Sequence, residues 1–300
     1  MINLSRTLGF VFVVAHCLVS FAQAENYLSS IEALDPPKNH YATLQKLSVL
    51  KNSERAWMDA ISYPPELYRN HTLLFALAKP HYLTSSQVDF VVDEVTPPSN
   101  SSDQTRAELD FLLELQKERD AEQRKRVMEI AAIGYWPDAN HVKSHPRYRK
   151  NLENLFFECT EILGNVCSAE KYPKTSVLLQ GIMNDMRLME FAVKYKKLRA
   201  RPYQLEPKLN PMVKIESPSF ASGHTLWAYL QAFTFAELIP QKRKEFLDLA
   251  YEIGYSRELM GVHYPSDEEA ARQIAHRMLW LMWHTDKFQQ DFKDAQSEWK

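Results

Sequence analysis

The sequence predicts an all-α protein built as a single-domain helical bundle. No stretch of the 300-residue chain alternates apolar and polar residues convincingly with the period of two that marks a strand, and only 7 glycines occur. Several long segments instead repeat apolar residues every three to four positions, as amphipathic helices do. One core enclosed by such helices, with a site at one end of a central helix group, is therefore the expected architecture.

The first 24 residues have the pattern of a signal peptide. Arg6 precedes an apolar run over residues 8–21, and Ala22-Gln23-Ala24 matches a small-x-small cleavage site. A membrane anchor is the alternative interpretation, but the run is short and contains His16. We therefore expect cleavage after Ala24 and a mature protein that is periplasmic or secreted.

Residues 25–104 are expected to form an N-terminal helical segment with Pro-Pro breaks. The proline pairs separate three predicted short helices, near residues 41–61, 65–78 and 86–94. This segment has the weakest functional signal of the chain. Packing around the core is its expected role, with a lid or a substrate-specificity segment as the alternative.

Residues 105–300 are the expected catalytic core. A capping box of Thr105 and Glu108 predicts one helix over residues 105–133, which Gly134 ends. Further helices are predicted over residues 148–163, 174–200, 223–238 and 242–260. Ser266 and Glu269 form a second capping box that starts the final helix, and the tail over residues 285–300 is polar.

The cysteines leave two arrangements open. Cys17 lies in the signal peptide, so the mature chain keeps Cys159 and Cys167. In an oxidising compartment this pair closes a short loop as a disulfide, or the two residues remain separate buried thiols.

Three short segments contain the groups that cleavage of a phosphate ester needs. The equatorial oxygens of a phosphoryl group carry negative charge, which fixed cations and backbone N–H groups stabilise. Lys194 and Arg201 supply cations and lie seven residues apart, close to two helical turns, so both are expected on one helix face that Pro202 ends. The charges between them, Lys196, Lys197 and Arg199, are expected to be ordinary surface charges.

The second segment, Ser222-Gly223-His224, precedes a strongly apolar helix. Ser222 is expected at its N-cap, where the hydroxyl, the N–H groups of Gly223 and His224 and the helix dipole favour an anion. Glycine also lets the backbone approach the anion closely. Arg257, in the third segment, adds a further cation.

Two histidines divide the chemistry. Neutral His263 is expected to attack phosphorus while Asp267, four residues later, keeps its other nitrogen protonated. His224 is expected to give a proton to the leaving alkoxide and then to act as base while water hydrolyses the phosphohistidine. Considered alone, His224 is a capping or core histidine and Asp267 an acid at a helix start; the ordered set of motifs favours the catalytic assignment.

Lys-x6-Arg-Pro, Ser-Gly-His and Ser-Arg-x5-His-x3-Asp together resemble the signature of the type 2 phosphatidic acid phosphatase (PAP2) and vanadium haloperoxidase superfamily. Ser-Gly-His-Thr at 222–225 and Asp-x2-Ala-Ala at 267–271 resemble bacterial class A non-specific acid phosphatases. The resemblance covers about a quarter of the chain and implies the PAP2-type helical fold and a dimer or higher oligomer. Ala221 stands where many relatives have proline, which affects the rigidity expected of the phosphate loop.

Composition limits the partners. The 36 basic and 38 acidic side chains give no broad basic field for nucleic acid. After residue 24 no apolar run reaches 18 residues, so no membrane span is expected, unlike in the integral lipid phosphatases of the superfamily. His141 and His145 have a helical metal-binding spacing, but Pro146 argues against a helix there. No metal and no cofactor is expected, and the predicted partners are small phosphomonoesters.

The predicted function is that of an exported, metal-independent acid phosphatase that hydrolyses phosphomonoesters through a phosphohistidine on His263. Three alternative functions are compatible with the same motifs. A vanadate-dependent haloperoxidase would use the same cradle to hold vanadate. A lipid or isoprenoid diphosphate phosphatase would act on membrane-borne substrates, and an inactive phosphate-binding protein would bind the anion without turnover.

Overall fold

The computed structural model describes residues 40–67, 72, 75–133, 144 and 146–300. Within these residues the regular secondary structure is helical and contains no strand, which confirms the predicted all-α class. The predicted signal peptide with Cys17, the helix stop at Gly134 and both candidate metal-binding histidines, His141 and His145, lie outside the described residues.

The helices are, in chain order, α1 (His40–Leu44), α2 (Ser85–Glu94), α3 (Asp103–Glu118), α4 (Ala121–Ala131), α5 (Tyr148–Leu155), α6 (Phe157–Leu163), α7 (Pro173–Lys197), α8 (Pro202–Leu205), α9 (Gly223–Leu238), α10 (Arg243–Leu259), α11 (Pro265–Trp283) and α12 (Asp286–Gln296). Short 3₁₀ segments cover Ser53–Ala60, Pro65–Leu67 and Pro240–Lys242. The helix predicted near residues 41–61 is thus α1 followed by a 3₁₀ segment, and the one near 86–94 is α2.

Helix α9 is the centre of the fold. Every residue from Gly223 to Leu238 is buried except His224 and Glu237, because the helix is apolar around its whole circumference. It packs against α6, α7, α10 and α11. Its bounds agree with the sequence prediction, and its N-terminus lies among the predicted site residues.

Two groups of buried apolar side chains flank the loops that carry the site. The larger one surrounds α9 and includes Phe220, Ala221 and Leu226. The smaller one joins α3 to the turn after α10, through Leu109, Leu112, Met260, Val262 and Tyr264. The loop before α9 and the turn before α11 are therefore held by different parts of the core.

The single helix predicted over residues 105–133 is wrong. Ser102, and not Thr105, is the N-cap of α3, and its hydroxyl accepts the Thr105 N–H at 3.1 Å. The chain becomes extended at Arg119, whose guanidinium donates to the Leu259 carbonyl at 2.8 Å and to the Asn210 carbonyl at 3.0 Å. Asp120 then starts α4 with its own capping box.

The predicted cap of α11 is also wrong. Tyr264 is the N-cap and Pro265 the first helical residue, a position that suits proline because no helical N–H is needed there. Asp267, the third residue, accepts the Tyr264 N–H at 3.1 Å. Ser266 is turned instead towards Glu108, whose Oε2 accepts its hydroxyl at 2.8 Å.

Two further predictions differ from the structure. The helix predicted over residues 148–163 divides at Phe156 into α5 and α6. The polar tail contains a helix, α12, which buries Phe288, Phe292 and Ala295 and packs against α7. Only one face of this short helix is apolar, which a mostly polar composition concealed.

Cys159 and Cys167 form a disulfide with a Cα–Cα distance of 5.8 Å, so the first of the two arrangements left open by the sequence occurs. Among the helices of the described residues, none combines the length and the apolar character that crossing a bilayer requires.

The residues after α12 stabilise the start of α7. Glu298 accepts the backbone N–H groups of Lys174 at 2.9 Å and Thr175 at 2.8 Å, which the first turn of a helix leaves without helical partners. We expect Glu298→Ala to lower the free energy of unfolding by about 1 kcal/mol, as loss of a helix cap does. Urea unfolding followed by circular dichroism measures the change. The control is Lys300→Ala, and equal stability of the two variants would contradict the capping role.

Candidate active site

The loop of residues 217–222, called the site loop below, is held by two buried cations. Lys194, in the last turn of α7, donates from Nζ to the carbonyl oxygens of Pro218 at 2.9 Å, Ser219 at 3.2 Å and Ala221 at 2.7 Å. Three donors matched to three acceptors fix the path of the loop. Burial, with a further contribution from the charge of Arg201, lowers the pKa of Lys194 to about 7.

Arg201 connects the site loop to the turn before α11. Its guanidinium donates to the Ser217 and Pro218 carbonyls at 2.9 and 3.1 Å and to the Val262 carbonyl at 2.8 Å. The same NH1 lies 2.9 Å from His263 Nε2. Arg201 thus lies directly beside the predicted nucleophile.

Lys194 and Arg201 reach the loop from different elements. Helix α7 ends at Lys197, Leu198 adopts a left-handed conformation with φ of 50°, and Arg201 precedes α8. The prediction that one helix face carries both cations, and that Pro202 ends that helix, is therefore wrong. Their convergence comes from the turn at Leu198.

His263 and Asp267 form a buried dyad. His263 Nδ1 lies 3.1 Å from Asp267 Oδ2, which also accepts the Ser219 hydroxyl at 2.5 Å. The carboxylate acts only as an acceptor, so Nδ1 carries the hydrogen, and Nε2 turns its lone pair to the Arg201 guanidinium. This is the tautomer that an attacking Nε2 requires.

The electrostatics favour a neutral imidazole beside an ionised carboxylate. Burial and the charge of Arg201 lower the pKa of His263 well below its usual range, although the hydrogen bond to Asp267 opposes this. Burial alone would raise the pKa of Asp267, but Arg199 and the hydrogen bonds from His263 and Ser219 lower it below its usual range.

Ser222 is the N-cap of α9, as predicted, but its side chain makes no capping hydrogen bond. Its hydroxyl lies 3.0 Å from Thr225 Oγ1, and its backbone N–H donates to the Asp267 carbonyl at 3.3 Å. The start of α9 is therefore joined directly to the start of α11.

His224 and Arg257 lie on the α4 side of the site. His224 Nε2 is 3.1 Å from the Ile133 carbonyl, so Nε2 carries a hydrogen. Burial, followed by the charges of Arg257 and Arg187, lowers the pKa of His224 well below its usual range. Arg257 NH2 donates to the Val127 carbonyl at 3.2 Å and to Ser256 Oγ at 2.9 Å.

Gly223 lies against a carboxylate that the sequence pattern did not single out. A Cβ at this position would overlap Glu190 Oε1 and come within 2.5 Å of Glu190 Cδ. Glu190, from α7, is buried, pairs with Arg187 at 2.7 Å and lies 4.0 Å from Lys194 Nζ. The absent side chain of Gly223 thus leaves room for Glu190 in this structure.

The prediction that Arg199 is a surface charge is wrong, because this side chain is only 3% exposed. Its NH1 donates to Asp267 Oδ1 at 2.7 Å, and its NH2 lies 3.3 Å from Glu108 Oε2. The guanidinium covers the Tyr264 ring at 3.8 Å. Helical spacing alone assigns Arg199 to the surface. The sequence signal for a buried position was that Arg199 lies next to the predicted site, in the Arg-Ala-Arg-Pro run at 199–202.

The structure thus brings the three predicted segments together around the site loop. The described residues contain no group of three or more His, Cys, Asp or Glu side chains arranged to hold a metal ion. Among the described residues, the groups suited to bind an anion include the Lys194, Arg201 and Arg257 side chains and the hydrogen-bond donors at the start of α9.

The region that contains these residues is similar to known proteins. The sequence model of the PAP2 superfamily matches residues 175–291, which contain all eight predicted site residues. This segment is therefore similar to the PAP2 superfamily, the resemblance that the three motifs predicted.

The chain is similar to the non-specific acid phosphatase of Providencia stuartii, with 27% identity over 145 residues, 46% of this chain and 58% of that protein. The Salmonella typhi non-specific acid phosphatase is 26% identical over 148 residues, 44% of this chain and 58% of that protein. The match therefore spans little more than half the length of these relatives. Among solved structures, a bacterial vanadium-dependent iodoperoxidase aligns over 82% of this chain and 63% of its own, with a TM-score of 0.49 and 17% identity.

The contact between Gly223 and Glu190 yields a prediction. We expect Gly223→Ala to displace the Glu190 carboxylate from Arg187, at a cost of about 1–3 kcal/mol in the free energy of unfolding, because the space is already filled. Thermal and urea unfolding measure this cost. The double variant Gly223→Ala/Glu190→Ala removes the overlapping atoms and should recover part of the stability, whereas an unchanged loss in the double variant would contradict the steric explanation.

Proposed function

We propose that this protein is an exported, metal-independent acid phosphatase that hydrolyses small phosphomonoesters through a phosphohistidine on His263. The observation that carries the proposal is the buried His263–Asp267 dyad, with Nδ1 held 3.1 Å from the carboxylate and Nε2 turned towards Arg201 beside the site loop. The PAP2 match over residues 175–291 and the acid phosphatases at 26–27% identity support it.

In the first step His263 Nε2 attacks phosphorus. The P–N bond forms as the bond from phosphorus to the ester oxygen breaks, and protonated His224 gives its proton to that oxygen, which leaves as an alcohol. The positive charge that develops on the His263 ring is balanced by Asp267. In the second step water attacks phosphorus, gives a proton to His224 and breaks the P–N bond, which releases phosphate.

The cations have two roles in this mechanism. Lys194 and Arg201 hold the site loop through its carbonyl oxygens, and together with Arg257 they supply the positive charge that attracts a phosphoryl group. A bound phosphoryl oxygen takes the Arg201 NH1 donor that lies 2.9 Å from His263 Nε2, and this exchange exposes the lone pair for attack. Substrate binding thus activates the nucleophile.

The reaction class can be tested with p-nitrophenyl phosphate. We expect turnover that survives EDTA, stops with vanadate and falls at least about 10³-fold in His263→Ala, because removal of a nucleophile removes the covalent route. His284→Gln is the matched control, since His284 lies just beyond the opposite end of the 19-residue helix α11. A wild-type protein that turns over no phosphomonoester but oxidises halide with peroxide and vanadate would refute the proposal in favour of a haloperoxidase.

His224 should impose an acidic optimum. Its proton is required in the first step, and since its folded pKa is lowered, the active acid form is lost as pH rises through a value below its usual 6.5. The charge of a bound phosphoryl group raises this pKa, so the basic limb of kcat should lie at higher pH than that of kcat/KM. Initial rates from pH 4 to 9 measure the basic limb of kcat and the basic limb of kcat/KM.

The leaving group gives a second test of His224. We expect His224→Gln to slow hydrolysis of an alkyl phosphate much more than that of p-nitrophenyl phosphate, because p-nitrophenolate leaves without a proton. Equal activity from pH 5 to 9, or an equal loss on both substrates, would contradict the assignment of His224 as the acid.

Export is proposed from residues 1–24 alone. N-terminal sequencing of protein secreted by a bacterial host should give a chain that begins at Glu25; an intact Met1 would refute cleavage.

A further inference from the structure

We propose that Arg199 and Glu108 are positioning residues that extend the His263–Asp267 dyad into a four-residue chain of alternating charge. The inference rests on the proposed function, because it assigns these side chains a role in phosphoryl transfer at the same site. Neither residue belongs to the three motifs that define the predicted site.

Arg199 fixes the half of the Asp267 carboxylate that faces away from the imidazole. Oδ2 accepts hydrogen bonds from His263 Nδ1, the Ser219 hydroxyl and the Tyr264 N–H, whereas Oδ1 accepts one from Arg199 NH1 at 2.7 Å. A carboxylate held at both oxygens cannot rotate about its Cβ–Cγ bond without breaking a charged hydrogen bond. The direction in which it presents Oδ2 to the imidazole therefore depends on Arg199.

Glu108 fixes Arg199. It lies on α3, is fully buried, and places Oε2 3.3 Å from Arg199 NH2. The other contacts of this carboxylate are the Ser266 N–H at 3.0 Å, the Ser266 hydroxyl at 2.8 Å and Gln104 Nε2 at 3.0 Å. Glu108 thus joins α3 to the first turn of α11, next to Asp267.

The charge count explains why both residues are needed. Arg199 alone would neutralise Asp267 and weaken its attraction for the positive charge that develops on His263 during attack. Burial raises the pKa of Glu108, whereas the charge of Arg199 and the hydrogen bonds from Gln104 and Ser266 oppose this rise. When Glu108 is ionised, Arg199 is shared between two carboxylates, so the set of three carries one net negative charge towards the imidazole. A buried charge of this kind is stable only when it is paired and hydrogen bonded.

Asp267 is surrounded by charged and titratable groups from every neighbouring element. These are Lys194, Arg199, Arg201, His263 and Tyr264, together with the carboxyl groups of Glu108, Glu258 and Glu268. Of the cations, Arg199 is the one that contacts the carboxylate directly. Removal of Arg199 is therefore expected to raise the pKa of Asp267 more than removal of Lys194 or Arg201.

The test compares Arg199→Met, Arg199→Lys, Glu108→Gln and the double variant Arg199→Met/Glu108→Gln with wild type. Arg199→Met alone leaves Glu108 as a buried carboxylate without its cation, which can cause misfolding. The double variant avoids this problem, because it removes both charges. Arg126→Lys is the matched control, since Arg126 pairs with Glu252 at 2.7 Å and Glu161 at 2.8 Å and is not in the chain of contacts. Kinetics with p-nitrophenyl phosphate are measured across pH, and the imidazole ¹⁵N resonances of His263 are recorded without substrate.

We expect Arg199→Met to lower kcat by about 10- to 100-fold with little change in KM, a range typical of residues that orient a catalytic group. The acid limb of kcat/KM should move to higher pH, because Asp267 must be ionised and its carboxylate now takes up a proton more readily. Arg199→Lys keeps the charge and should retain the wild-type acid limb at a reduced kcat. Because Glu108 acts through Arg199, the double variant should lose much less than the product of the two single losses.

The inference is overturned if Arg199→Met and Arg199→Lys lose kcat equally, the acid limb does not move and the His263 resonances stay as in wild type. Arg199 would then have only a structural role. Multiplicative losses in the double variant would remove Glu108 from the chain. The NMR measurement separates this inference from the proposed function. If wild type lacks turnover, the phosphatase proposal fails, yet a change in the His263 tautomer in Arg199→Met still establishes the positioning role and its absence still refutes it.

Discussion

The burial of an ionised carboxylate at Asp267 is the constraint on which the arrangement of the site depends. Water cannot stabilise this charge, so the protein must supply donors to both oxygens. They come from Ser219 in the site loop, from Arg199 after α7, and from the turn before α11 through Tyr264 and His263. One carboxylate thereby fixes the relative positions of three segments that lie far apart in the sequence.

The cations around the site loop satisfy a second constraint of the same kind. Lys194 and Arg201 are almost completely buried, and they use backbone carbonyl oxygens of residues 217–221 as partners. Carbonyl oxygens are neutral acceptors, so they satisfy the donors without cancelling the positive charge. These hydrogen bonds therefore leave the positive charges of Lys194 and Arg201 in place. In the proposed mechanism, a phosphoryl oxygen competes with the carbonyl oxygens for these donors.

Sequence reasoning succeeded where local signals were unambiguous. Helix α9 was predicted with its observed bounds, because it is apolar on all sides and Ser222 precedes it. The single helix predicted over residues 105–133 is in fact two helices, capped by Ser102 and Asp120. Between them, Arg119 donates to carbonyl oxygens from distant parts of the chain, which stabilises the break. The segment before α9 and the histidine–aspartate pair were identified from motif spacing, which needs no knowledge of the fold.

The wrong placements of Arg199 and Arg201 share a physical cause. Arg199 and Arg201 were placed by extending the period of α7, but the left-handed turn at Leu198 ends that period and redirects both side chains into the core. The contacts of Glu108 with Ser266 and of Glu190 with Gly223 depend on helices that meet only in the folded chain. Spacing within one helix predicts which side chains share a face, whereas it carries no information on what a neighbouring helix presents.

In the proposed mechanism, proton uptake by His224 and binding of the phosphoryl group are coupled. Burial and nearby cations lower the pKa of both histidines, so neither imidazole readily takes up a second proton before substrate binds. In the proposed mechanism, the negative charge of a phosphoryl group offsets the repulsion that Arg257, Arg187 and Lys194 exert on protonated His224, whereas the effect of burial remains. In the same mechanism, Asp267 keeps the hydrogen of His263 on Nδ1, and the attack uses the Nε2 lone pair. In the proposed mechanism, the substrate therefore supplies the charge that distinguishes the acid from the nucleophile, although burial and neighbouring cations lower the pKa of both imidazoles.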